Sequence, residues 1–215
     1  MIEAKILGEV YDLTDLRQQI EALDDEMEIE INSPGGSVFE GLQTVNLIQQ
    51  CAYKITARIE CQCASIAAVI ALACDAVKVK STDLICLHNC MTFAIGNRQD
   101  LQQEIDTMTA VDNVLHDIIA KHCNDADALI AEMDEGKDVW LTGADMAERF
   151  ENVELVEPAK KDNLQNCANM AALLADARKA KTLQAQIDSL TAENGELKAR
   201  IARDLKARRI LRGVC

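Results

Sequence analysis

The chain has 215 residues, 49% hydrophobic and 27% charged, enough for one folded domain with an appendage. Its 22 basic and 36 acidic residues leave a formal charge of −14 and aromatics make up 3%, so phosphates are repelled and bases have little to stack on; nucleic-acid binding is excluded as a primary role. With nine glycines and two prolines the chain is neither low-complexity nor collagen-like.

Apolar residues alternate over 4–10 and 27–31, which predicts strands, and helical spacing over 14–23 lies between them. The run Asn32-Ser33-Pro34-Gly35-Gly36-Ser37 reads as a tight loop, after which Leu42, Val45 and Ile48 resume a helical period over 38–51. A strand is expected over 54–59, a very apolar helix over 65–73, and strands again over 76–79 and 84–87. Helices follow over 98–122, 126–133 and 144–150. The alternation of strands and helices predicts an α/β core.

Around Pro158 the composition shifts to Ala, Gln, Lys and Arg, which predicts one domain over 1–158 and a linker with a helical tail over 159–215. Ten basic residues but only five acidic ones lie beyond residue 170. Leu183, Leu190 and Leu197 recur every seven residues, with Ile187, Asn194 and Ile201 at the alternate heptad position. Over about 180–207 this predicts a coiled coil that pairs with itself or with another helix, the lone Asn favouring a parallel dimer. A single amphipathic helix lying on its own domain is the alternative.

The longest apolar stretch, 64–74, is too short to span a bilayer, and the first residues lack an export pattern. A cytoplasmic protein with no membrane partner is expected. Nine cysteines in such a chain predict reduced thiols. Neither Cys61-x-Cys63 nor Cys86-x-His88-x-Cys90 has the spacing of a structural zinc site, so neither a metal nor a cofactor is expected.

Three segments hold residues able to do chemistry. The paired glycines of the 32–37 loop allow backbone N–H groups to approach a ligand, though such a turn is also common as a turn alone. Ser65 stands between a strand and an apolar helix, where it is either a helix cap or a hydroxyl facing the N–H of Ile66. His88 follows the strand over 84–87, as a base or as a hydrogen-bonded structural group. His116 and His122 are six apart in one predicted helix and do not share a face.

Taken together, Asn32-Ser33-Pro34-Gly35-Gly36-Ser37, Ala64-Ser65 and Leu87-His88-Asn89 resemble the successive signatures of the Clp-type serine peptidases, and the likeness runs on to Asp138-Val139-Trp140-Leu141-Thr142. It covers residues 28–156, and the version with a Trp after the acidic residue is similar to phage head maturation proteases. The resemblance implies a spiral of ββα units shared with the crotonases. It also implies Ser65 as nucleophile, His88 as general base and then acid, and Asp138 as the group that orients the imidazole. The oxyanion hole would map to the N–H groups of Gly36 and Ile66, and Pro34-Gly35-Gly36 would pair with an extended substrate. Cys61 and Cys63 stand where the family commonly has glycine and alanine, and Cys90 where it has proline.

The expected activity is endopeptidase cleavage of capsid or scaffold proteins during phage head maturation, in host cytoplasm or the assembling head, by a homo-oligomer, a ring being one arrangement of it. Two alternatives keep the fold: a catalytically inactive assembly protein, and a crotonase-like acyl-CoA enzyme. A Ser-Lys dyad is disfavoured, because Lys78 and Lys80 alternate with Val77 and Val79 as the wet side of a strand.

Overall fold

The computed structural model describes residues 1–156. The boundary expected at Pro158 and the heptads over 180–207 lie outside the described residues. In chain order the elements are β1 (Ile2–Leu7), α1 (Thr14–Glu21), β2 (Met27–Ser33), α2 (Val38–Gln50), β3 (Ile55–Ala64), α3 (Ile66–Ala73), β4 (Ala76–Val79), β5 (Leu84–Leu87), α4 (Arg98–Ala120), α5 (Ala126–Asp134), β6 (Val139–Thr142), α6 (Gly143–Arg149) and β7 (Val153–Leu155). Strands β1, β2, β3, β4 and β7 lie side by side in that order, all parallel, as βαβ crossovers require. β5 is parallel to the far end of β3, and β6 closes that corner antiparallel to β5.

β6 and β7 were not expected from the sequence. They are four and three residues long, too short for a legible period, and each exists through its pairing with a strand far away in the chain. β3 also runs five residues beyond the stretch expected for it.

One face of the sheet is apolar. Ala4, Ile6, Ile29, Ile31, Ala57, Ile59, Val77 and Val79 take alternate strand positions and are buried. The helix α3, Ile-Ala-Ala-Val-Ile-Ala-Leu-Ala, has no polar side and is buried at every residue, as a helix apolar all round must be. It packs on α2, β3 and α4, and the small alanines permit the close approach. The other face is a lattice of charge. Arg58 donates from Nε to Glu28 at 2.8 Å, from Nη2 to Glu30 at 2.9 Å, and from Nη1 to Glu60. Lys78 reaches Glu28 at 2.7 Å, Lys5 reaches Glu30 at 3.1 Å, and Lys80 pairs with Glu60. Among the described residues, no helix is long and apolar enough to cross a membrane.

β3 changes neighbours partway along. Its residues Thr56–Arg58 pair with β4, whereas Gln62–Ala64 pair with β5. Between them the register with β2 jumps from Ile31↔Ile59 to Ser33↔Cys63, a bulge in β3. At its centre Cys61 takes φ +77°, a backbone conformation ordinarily left to glycine, and stands where the Clp-type signature has one. Asp83 fixes the bulge: its carboxylate accepts from the Cys61 N–H at 3.0 Å and from the Lys80 N–H at 2.8 Å. Asp83 is 2% exposed, and burial raises its carboxyl above the usual range against the pull of those two amides.

Candidate active site

β2, β3 and β5 are neighbours, run the same way, and end on the same side of the sheet. The segments leaving them therefore converge at the carboxyl ends of the strands, where ligands collect in α/β folds.

The first segment is the glycine loop. The Gly35 N–H donates to Ser33 Oγ at 3.1 Å, and the Gly35 carbonyl accepts from the Val10 N–H at 2.8 Å. The Ser37 N–H donates to the Val10 carbonyl at 2.6 Å, and Ser37 Oγ caps α2 by accepting from the Glu40 N–H. The loop is thus tied on both sides. Gly35 has φ +96°, and a Cβ there would stand 2.8 Å from the Ala64 carbonyl and 3.1 Å from Ser65 Oγ. A Cβ on Gly36 would run into the Val10 carbonyl oxygen. Both positions need glycine for close approach. Since Pro34 lacks an N–H and Gly35 has both backbone groups engaged, an added strand along Pro34-Gly35-Gly36 would have the Pro34 carbonyl and the Gly36 backbone to pair with.

The second segment carries Ser65, at φ +57° and ψ −134° between β3 and α3. A non-glycine residue held in that region is strained by about 1–3 kcal/mol. The Ser65 N–H donates to the Cys86 carbonyl at 2.8 Å, and its carbonyl accepts from the Ala68 N–H at 3.0 Å, so the turn is fixed on both sides. Its hydroxyl makes no cap bond to α3, which removes the helix-cap reading. A sharp strand-to-helix turn of this kind lifts a side chain out of the sheet toward a ligand. Among the described residues, no backbone carbonyl accepts the N–H of Ile66 or that of Gly36.

The third segment begins one residue past β5 with His88, half-buried. Its Nδ1 is 2.6 Å from the carbonyl oxygen of Asn89. A carbonyl only accepts, so Nδ1 carries the hydrogen, and Nε2 of the neutral ring is left with its lone pair. That is the tautomer a general base needs.

Ser65, His88, Gly35, Gly36 and Ile66 line one cavity of about 250 Å³, together with apolar Val38, Val69, Met91 and Leu115 and the carboxylate residue Glu9. Asp138 does not line it. Asp138 is exposed and directly precedes β6; the β5–β6 register, Leu87↔Val139 at its end, places it opposite His88 if continued by one residue. Together with burial it raises the Cys86 thiol to about 12. Among the described residues, no hydrogen bond joins Ser65 to His88 or His88 to Asp138. The same residues hold no grouping of three or more His, Cys, Asp or Glu side chains able to take a metal ion.

Sequence reasoning missed Val10, Asp83 and Asn89. Val10 and Asp83 act through backbone partners distant in the chain, which no local pattern reveals; Asn89 was visible only as the neighbour of His88.

No curated protein matches the chain. The family model for Clp protease matches residues 11–150, which takes in the glycine loop, the strained serine and the histidine at the end of β5. The match spans well over half of the sequence, and the chain belongs to the Clp protease family, a family of serine peptidases.

Proposed function

We propose that the protein is a serine endopeptidase that works through an acyl-enzyme on Ser65. The observation that carries this reading is the strained Ser65, uncapped and sharing a cavity with a histidine whose Nε2 is free to accept and with two unengaged amides. Ser65 Oγ attacks the scissile carbonyl carbon while its proton passes to His88 Nε2. The resulting oxyanion takes the N–H groups of Gly36 and Ile66. His88 then protonates the leaving amine as the C–N bond breaks, and water, deprotonated by His88 in the same way, releases the acyl group. Asp138, opposite His88 in the register, offers negative charge to the imidazolium. The Ser65–His88 hydrogen bond forms as substrate binds, since catalytic contacts tighten on binding.

The substrates are capsid or scaffold proteins, on the resemblance of the 138–142 segment to phage head maturation proteases, and the enzyme acts in the host cytoplasm or the assembling head. The heptads over 180–207 would recruit scaffold helices or join protomers. Met91, which lines the cavity, and Phe93 and Ile95, which follow it in the chain, are 85%, 86% and 86% exposed, which supports assembly into a homo-oligomer that covers them.

Treatment with a fluorophosphonate and mass mapping tests the activity. The expected result is one adduct, on Ser65, lost in Ser65→Ala together with cleavage of the co-expressed capsid protein. Wild-type protein that assembles but takes no adduct overturns the reading in favour of an inactive assembly protein.

A further inference from the structure

The residues that follow His88 are fastened to two helices by their own hydrogen bonds. The Asn89 Nδ2 donates to Asp134 Oδ1 on α5 at 2.9 Å. A carboxylate accepts only, so this bond settles which end of the amide faces which way, and Asn89 Oδ1 is turned to His116 Nε2 on α4 at 2.8 Å. The amide oxygen in turn accepts only, which makes His116 the donor. The next residue continues the pattern. The Cys90 N–H donates to Asp112 Oδ1 on α4 at 2.6 Å. A proline at that position, as the Clp-type signature has, supplies rigidity through its ring but has no N–H to give.

We propose that Asn89 is a positioning residue for His88, which the structure achieves with a hydrogen-bonded clamp where the signature uses proline. The side chain of Asn89 is held between His116 and Asp134, and this holds its carbonyl where it receives the His88 Nδ1 hydrogen. The orientation of the general base is thereby set within residues 88–90 and anchored on α4 and α5. Asp138 is left to answer the charge that develops on the ring. His116 is well covered, at 12% side-chain exposure, so the inner half of the clamp is shielded from competing water.

The inference rests on the peptidase reading for its kinetic consequence but not for its spectroscopic one. The chain has three histidines, so ¹⁵N-histidine labelling of the full-length protein gives three imidazoles to assign. In the wild type His88 is expected as the Nδ1–H tautomer, unchanged by Asp138→Asn. Asn89→Ala is expected to mix the tautomers and to lower kcat about 100-fold with KM nearly unchanged, the effect of a misplaced catalytic group. His116→Gln, whose amide still donates to Asn89, is expected to keep most of the activity, and His116→Phe to behave like Asn89→Ala.

An Asn89→Ala protein with wild-type kcat and an unchanged His88 tautomer overturns the proposal. Equal damage from His116→Gln and His116→Phe does the same, and this pair decides the matter where Asn89→Ala does not fold. If wild-type Ser65 takes no fluorophosphonate, the peptidase reading fails, while the tautomer comparison still decides the clamp.

Discussion

Gly35→Ala separates the two reasons for glycine beside the nucleophile. Gly8 and Gly35 both have positive φ, +78° and +96°, but a Cβ on Gly8 meets nothing within 4 Å, whereas one on Gly35 meets Ala64 and Ser65. Gly8→Ala therefore carries only the backbone term, about 1–2 kcal/mol. Gly35→Ala carries that term and an overpacking term of about 1–3 kcal/mol, because the loop, bonded to Ser33 and Val10, has no slack to retreat. The difference between the two variants, about 1–3 kcal/mol, corresponds to roughly 2–12 °C in Tm. The activity effect is sharper. The new methyl group pushes on Ser65 itself, and a displacement approaching 1 Å costs about 100-fold in rate. Differential scanning fluorimetry and the rate of fluorophosphonate labelling check both parts, with Gly8→Ala labelling at the wild-type rate. A Gly35→Ala protein that labels as fast as Gly8→Ala and melts with it would refute the close-approach argument.

Asp83→Ala leaves the N–H groups of Cys61 and Lys80 without their acceptor, and urea unfolding should show a loss of about 2–5 kcal/mol; a loss below about 1 kcal/mol would mean that the bulge holds itself. Burial opposes ionisation of Glu28, but Lys78 and Arg58 together override it, so its carboxyl titrates below the ordinary range. Its contribution to stability is therefore complete above the unfolded-state value and vanishes as pH falls through the folded-state one, so the stability gap between wild type and Glu28→Gln should close on acidification; a pH-independent gap contradicts this. Burial raises the thiols of Cys63 and Cys74 far above the usual range and those of Cys86 and Cys90 to about 12, the last with help from Asp112. At pH 8 the latter pair carry about a thousandfold less thiolate than an ordinary cysteine, and peptide mapping after brief iodoacetamide treatment should find all four unmodified; rapid alkylation of Cys90 would count against it.

The parts of the fold legible in the sequence are those whose cause is local. Alternation announces β1 to β4 because one face of each is buried, a short apolar run announces β5, and unbroken apolarity announces α3 because it has no wet side. The glycine loop is legible because positive φ leaves a compositional trace. Where tertiary structure overrides local preference, the trace is missing. A cysteine at φ +77° gives no sign of a bulge, and Asp83, which holds it, looks like any surface carboxylate between strands. Asp134 reads as a solvated residue at a helix end and His116 as one histidine on an amphipathic helix; their meeting at Asn89 depends on α4 and α5 both returning to the segment that follows β5.

The bulge links these pieces, because it lets β3 leave β4 and take β5 as its neighbour. Had β3 continued in register beside β4, the residues after Arg58 would have met Val79 and Lys80, and the end of β5 would have had no parallel partner to bring His88 beside Ser65. The change of partner places Ala64 against Cys86, and the next step of that ladder is the Ser65 N–H bonded to the Cys86 carbonyl. The strained conformation of Ser65 is thus imposed from three directions: by β5 through that bond, by α3 through the bond from Ala68, and by Gly35 pressed against its side chain. Relaxing the serine would break that sheet pairing or open the packing of a fully buried helix, so the surrounding structure holds the strain in place. The geometry of the nucleophile is therefore a property of how the sheet is joined, and substitutions at Asp83 or Gly35 will reach the chemistry even though neither side chain takes a proton in it.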